Sequence, residues 1–173
     1  MQDILTKPDF DLTEIINGEE RMAPSPFGYH QSIVNRINYL ILTYLEKNPI
    51  GEVYISPLDV ILEEGINRLQ PDLIFIKNEN KHIFQDWIRG VPDLLIEIVS
   101  KGTHTRDTVE KKEIYERYAV SEYWLVYPET STIEIFTLED KRFKIFSSSD
   151  YTMDIVKSKL FVGLEIELKK IFY

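Results

Sequence analysis

The sequence predicts a mixed α/β (α+β) fold: a central mixed β-sheet flanked by helices, opened by an N-terminal β-hairpin. Three observations lead there. Between Gly90 and Ser100, Leu94, Leu95, Ile96, Ile98 and Val99 make a run that is apolar on both faces, as in a strand buried on both sides of a sheet. A helical pattern follows, and then the apolar run Glu122-Tyr123-Trp124-Leu125-Val126-Tyr127, so a parallel crossover suits the pair. Near the start, Leu12-Thr13-Glu14-Ile15-Ile16 and Glu20-Arg21-Met22 flank Asn17-Gly18, a dipeptide that favours the left-handed conformations of a tight hairpin turn.

The remaining elements follow in order. From about His30, apolar residues recur at Ile33, Val34, Ile37, Leu40, Ile41, Tyr44 and Leu45, the spacing of an amphipathic helix that ends near Asn48-Pro49. Val53-Tyr54-Ile55 and Leu58-Asp59-Val60-Ile61-Leu62 read as strands interrupted at Ser56-Pro57. Gln70-Pro71-Asp72-Leu73-Ile74-Phe75-Ile76 is another apolar strand with a carboxylate at its mouth, and residues Asn78 to Arg89 suit a short helix on a connecting loop. After Ser100 a loop runs to Arg106, and Asp107-Thr108-Val109-Glu110 has a capping-box order in which Asp107 accepts the free amide hydrogens of a helix reaching about Tyr118. Thr132–Phe136 and Phe143–Phe146 form a hairpin around Glu139-Asp140-Lys141, and Leu160 to Phe172 suits an edge strand and a last short helix.

With 173 residues the chain fits a single domain, residues 1–173, large enough to bury a core. An apolar fraction of 43% and a charged fraction of 28% are those of an ordinary globular protein. The absence of cysteine excludes disulfides, thiolate nucleophiles and Cys-ligated zinc. No basic region followed by an apolar run opens the chain and no segment reaches membrane-spanning length, so a cytoplasmic protein without membrane contact is expected. A formal charge of −9 gives no bulk attraction to nucleic acid; any such binding needs a local patch.

Within the central strand, Glu97 is the anomaly, because an ionised carboxylate among apolar neighbours is costly unless a metal, a cation or several donors compensate it. Alternation places Asp93, Leu95, Glu97 and Val99 on one face, and Asp72 can lie beside Asp93 or Glu97 if its strand is the neighbour. Converging carboxylates at a sheet's end can bind Mg²⁺. On the following helix, Asp107, Lys111, Ile114, Tyr115 and Tyr118 share a face, which directs Lys111 inward while Lys112 points to water. Lys111 is then either a cationic partner for Glu97 in a structural ion pair or a group that stabilises charge on a phosphate. His30 lies on the apolar side of the long helix, as a hydrogen-bonded core histidine or as part of the same site. Asp93 and Asp72 both follow proline and have a plain reading as turn residues; Asp107 has one as a cap. The loop Lys101-Gly102-Thr103-His104-Thr105-Arg106 is a solvated loop or a basic lip for a polyanion.

These residues, in this order, resemble a family. Gln70-Pro71-Asp72-Leu73, Pro92-Asp93-Leu94-Leu95-Ile96-Glu97-Ile98-Val99-Ser100, Arg106-Asp107 with Glu110-Lys111 and Tyr115, and Glu122-Tyr123-Trp124-Leu125-Val126 with Pro128 look like the Uma family of restriction-endonuclease-like proteins. Gly18-Glu19, Ser25-Pro26, His30 and Ser56-Pro57-Leu58-Asp59-Val60 extend the likeness over nearly the whole chain. The resemblance implies the PD-(D/E)XK nuclease fold and a metal-dependent endonuclease acting on DNA with Mg²⁺ or Mn²⁺. It implies Asp72, Glu97 and the carbonyl of Ile98 as metal ligands, with Glu19 completing the site. Two residues after the glutamate, where the usual pattern has lysine, this chain has Val99; the resemblance implies Lys111 from the next helix instead. A second departure is Lys101, where the family usually has proline. His30, Asp93, Ser100, Asp107 and Tyr115 are the expected supporting residues, and a homodimer is the assembly implied for cutting both strands. The alternative reading is a non-catalytic binding or assembly module of the same fold, in which Glu97 and Lys111 are only a structural pair.

Overall fold

The computed structural model describes residues 12–22, 25–149 and 154–173. The opening hairpin is β1 (Thr13–Ile16) and β2 (Glu19–Met22), joined by Asn17 and Gly18 at φ 51° and 82°, the left-handed pair its sequence demands. Helix α1 (Gly28–Lys47) buries Ile33, Val34, Ile37, Ile41 and Leu45 along one stripe. Strands β3 (Gly51–Ile55), β4 (Val60–Glu63), β5 (Asn67–Leu69) and β6 (Leu73–Lys77) come next. A 3₁₀ helix (Asn78–Ile83) and the two-residue β7 (Ile88–Arg89) occupy the segment expected to be a short helix. The central strand is β8 (Leu94–Ile98). A π-turn (Arg106–Lys111) runs into α2 (Lys112–Arg117), followed by β9 (Glu122–Tyr127), β10 (Thr132–Glu139) and β11 (Arg142–Ser148). The chain ends in β12 (Ile155–Lys157), β13 (Glu165–Glu167) and a 3₁₀ turn.

Six strands make the central sheet in the order β11-β10-β9-β8-β6-β3, and it is mixed, since β8 runs parallel to β9 and antiparallel to β6. Five shorter strands form a second sheet, β2-β1-β5-β4-β7. Alternation along β8 divides the core. Leu94, Ile96 and Ile98 pack with the α1 stripe, Trp124 and Val126 on one face. Leu95 and Val99 pack on the other with Ile114 and Tyr115 of the α2 segment and with Ile16, Val60 and Leu69 of the second sheet. A strand buried on both faces thus has a helix against one side and a helix plus a small sheet against the other, which is why its sequence reads as a nearly continuous apolar run. Among the described residues no helix is long and apolar enough to cross a membrane.

One tight approach aligns β3 with β6. A Cβ at Gly51 would lie 2.3 Å from the Ile76 carbonyl oxygen and 2.6 Å from the Phe75 ring. Gly51→Ala should therefore lower unfolding free energy by about 1–3 kcal/mol through overpacking. Urea unfolding measures it; an unchanged midpoint would show that the edge strand yields without cost.

Candidate active site

Two carboxylates meet where β6 begins and β8 ends. The register pairs Leu73 with Ile96, so one step further along the antiparallel ladder sets Asp72 opposite Glu97. Asp72 is fixed by the backbone, its Oδ2 accepting the Ile98 amide hydrogen at 2.7 Å. Glu97 is 3% exposed, and its Oε1 accepts from Lys111 Nζ at 2.9 Å and from Tyr115 Oη at 3.0 Å. Both residues line a cavity of about 490 Å³ at this end of the sheet, with Lys111, Asp107, His30 and Ile98.

Lys111 is the hub. Its ammonium is 4% exposed and lies 2.9 Å from Glu97 Oε1, 2.9 Å from Glu14 Oε1 and 3.8 Å from Asp107 Oδ1. Burial pulls the lysine pKa down, but the charges of Glu97, Glu14 and Asp107 outweigh it and raise the pKa above its ordinary value, so the group stays an ammonium. Burial pushes the Glu97 carboxyl well up; Lys111 opposes this, and Asp107, Asp72 and Glu14 add to it. Asp107 is raised to about 6 by burial, against Lys111 and a hydrogen bond from Thr103. Four carboxylates, those of Glu14, Asp72, Glu97 and Asp107, therefore crowd around Lys111, Arg106 and His30, with Arg106 3.4 Å from Glu14.

His30 stands on the first turn of α1, with Nε2 3.2 Å from Asp72 Oδ2. Burial lowers its pKa; the hydrogen bond to Asp72 and its charge, then Asp107 and the Ile98 carbonyl, more than reverse this and raise it. Ser100 also lines the cavity, its amide and hydroxyl tied to Thr103 Oγ1 at 3.2 and 3.0 Å. In the loop expected as a solvated stretch or a basic lip, Lys101 is exposed and paired with Glu129 at 3.2 Å, while Arg106 turns inward to Glu14.

Four expectations are corrected by the geometry. Glu19 is not in the cluster: on the edge strand β2 its side chain is 71% exposed and bonded to Arg21 at 2.8 Å. The acid that the hairpin contributes is Glu14, 2% exposed, on the inward face of β1 beside Ile16. Its signal was present in Leu12-Thr13-Glu14-Ile15-Ile16, where alternation puts Glu14 between two apolar residues, the same anomaly as Glu97. Asp93 lies at the far end of β8, four residues from Glu97, where it receives the Lys77 amide at 2.8 Å and the Asn80 side chain at 3.0 Å. Asp107 is not a cap, because the helical path already includes His104; the Asp107 amide donates to Thr103 at 2.9 Å and its side chain turns to Lys111. Lys112, expected in water, is half-buried with its ammonium 3.6 Å over the Phe136 ring.

The donor set suits a hard divalent ion. Asp72, Glu97 and the Ile98 carbonyl are oxygen donors at one cavity wall, and the carboxylates outnumber the cations around them. Among the described residues no three His, Asp and Glu side chains form a ready-made metal cage.

The profile of the Uma2 family, described as "Putative restriction endonuclease", matches residues 4–169. No curated protein matches the chain. A solved structure from Anabaena variabilis, titled as that of a "putative nuclease belonging to DUF820", shares the fold at a TM-score of 0.75 and 19% identity, over 92% of this chain and 89% of that one.

The cluster makes two stability predictions. Lys111→Met leaves buried carboxylates uncompensated and should cost about 3–5 kcal/mol in unfolding free energy; a loss within error of zero in denaturant titration would show that the carboxylates protonate without penalty. For Asp107, a folded pKa of about 6 against an ordinary 3.8 means that the native state holds its proton more tightly. Its contribution favours folding at acid pH and is lost as pH rises through about 6. Relative to the parent chain, Asp107→Asn should therefore gain about 2–3 kcal/mol in metal-free buffer between pH 4 and pH 7. Unfolding curves at the two pH values check it, and a relative loss on raising the pH would reverse the sign.

Proposed function

The chain belongs to the Uma2 family, and from that premise we propose that it is a divalent-metal-dependent endonuclease hydrolysing phosphodiester bonds in DNA. One observation carries the reading: Asp72 and Glu97 are set side by side on a cavity wall by the β6–β8 register, with the Lys111 ammonium 2.9 Å from Glu97. Asp72, Glu97 and the Ile98 carbonyl would hold Mg²⁺ or Mn²⁺. When bound, the ion polarises the scissile phosphate and lowers the pKa of an attacking water. Lys111, kept charged by its carboxylate neighbours, acts as a fixed positive charge that orients that water or stabilises the pentavalent phosphate, not as a base. Glu14 holds Lys111 in place through the 2.9 Å contact, and Tyr115 fixes the Glu97 carboxylate. A homodimer acting on DNA in the cytoplasm completes the reading, since two sites serve two strands.

Purified protein should nick supercoiled plasmid with Mg²⁺ or Mn²⁺ and not with EDTA. Asp72→Asn and Lys111→Ala should each slow nicking by about 10²- to 10³-fold, whereas Glu19→Gln should leave it unchanged. Nicking that survives both site substitutions would assign it to a contaminant.

A second reading has its own support. Glu97 Oε1 is already occupied by Lys111 and Tyr115, as in a structural ion pair, and Val99 stands where the usual lysine would be. On that reading the chain is a non-catalytic binding or assembly module. Thermal unfolding separates the two, because an ion that binds only the native state raises the melting temperature. An increase with millimolar Mn²⁺ supports the metal site; no shift, with no nicking, supports the module.

A further inference from the structure

A formal charge of −9 means that nucleic acid must be held by a local patch. Lys101 at the cavity rim faces Glu129, and Arg21 of the neighbouring hairpin faces Glu19 and Glu110, so these cations are already neutralised. The outer side of α1 is different. Tyr29, Ser32, Arg36, Tyr39, Thr43 and Lys47 recur at offsets of three and four and form one stripe beside the buried one. The stripe is about 27 Å long at the helical rise, and its first residue, Tyr29, lines the active-site cavity. Further along, Arg36, Tyr39, Thr43 and Lys47 form one wall of a separate groove of about 730 Å³, whose other wall is the segment 163–173. Arg36 fixes that second wall, donating to the Ile171 carbonyl at 2.8 Å and lying 3.5 Å over the Tyr173 ring. Both partners are uncharged, so the guanidinium keeps its positive charge for a ligand, and Lys47 is exposed in the last turn of the helix. The acids of the second wall are taken up by lysines, Glu167 by Lys169 and Lys170 and Glu165 by Lys157.

Four rings stand open along this path. Phe27 and Tyr29 at the rim are 81% and 44% exposed, and Tyr39 and Tyr173 in the groove 73% and 76%. A single exposed ring is ordinary on a protein surface. Rings placed between cations, on a line that starts at a cavity lined by carboxylates, are what an unpaired strand requires: its phosphates follow the charges and its bases stack on the aromatic faces. A duplex keeps its base faces covered and binds chiefly through its phosphates, which a single line of rings and two cations serves poorly. We propose that the α1 groove is a track for single-stranded DNA leading into the cavity, so that the substrate of the site is an unpaired strand. The inference rests on the reading that the cavity cleaves DNA. It also reconciles that reading with the acidic chain, because stacking supplies part of the affinity that net charge withholds.

The test uses the full chain in EDTA at low salt, where binding is read without cleavage. Fluorescence anisotropy compares a labelled DNA oligonucleotide alone, the same strand annealed to its complement, and an RNA of the same sequence. The single DNA strand should bind tightest. Tyr39→Ala should weaken that binding by about 5- to 100-fold, and Lys47→Ala should reduce the slope of log affinity against log salt by about 0.7. Both side chains are exposed, so the unfolding curves of the two variants should match the parent chain and a loss of binding is not a loss of folding. No binding, tighter binding of the duplex or the RNA, or single-strand binding indifferent to both substitutions would each overturn the track. If plasmid nicking persists in those cases, the nuclease reading stands without it. Strand binding through the track with no nicking in Mg²⁺ or Mn²⁺ would instead overturn the nuclease reading, and with it the claim that the strand is a substrate.

Discussion

Everything at this end of the molecule depends on one buried ammonium. Lys111 joins Glu14 of the small sheet, remote in the chain, to Glu97 of the central sheet and Asp107 of its own helical segment. Without it their carboxylates would repel and each would carry its own desolvation cost. The apolar layer beneath, with Leu95, Val99, Ile114 and Tyr115, brings these groups together whether or not their charges balance. The cluster is thus a polar load carried by hydrophobic packing, with Lys111 as the part that makes it tolerable.

Glu122 shows what a purely structural buried carboxylate looks like in the same fold. It is 1% exposed and accepts from the Trp124 indole, the Ser158 hydroxyl and the amides of Lys159 and Leu160. Both of its oxygens are used, by neutral donors. Glu97 differs: its bonds converge on Oε1 and it borders a cavity shared with other carboxylates. Burial alone therefore does not distinguish a working acid from a structural one. The number and kind of donors left for a ligand to replace does.

The same distinction explains which residues were legible in the sequence. The period of two in β8 exposed Glu97, and the helical period exposed Lys111, because each places a charge on an apolar face. Asp72 needed only the guess that β6 neighbours β8. Glu14 carried the same signal over fewer residues, and the family motif drew attention to Glu19, whose edge strand leaves it in water. Asp107 was misread because a capping pattern and an inward helical position begin with the same residues; only the π-turn, with the helix starting at His104, separates them. The two-residue β7 and three-residue β5 have no period to read, and their pairing is set by tertiary contact.

The valine at position 99 fits this logic. Val99 shares the face of Glu97, but at that step the strand lies under the α2 segment, and the side chain is 5% exposed within the apolar layer. A lysine there would have to turn back along the strand to reach the carboxylates, and its stem would displace the packing beneath them. Supplied from the helix, the ammonium arrives from above the sheet, so the strand keeps its apolar contact and the charge still reaches Glu97. The π-turn sets Lys111 opposite both Glu14 and Glu97, an arrangement that a strand residue bound to one sheet could not make. Moving the lysine from strand to helix therefore leaves a cation beside the glutamate and adds a tie to the small sheet, on top of the apolar packing that already holds the two sheets together.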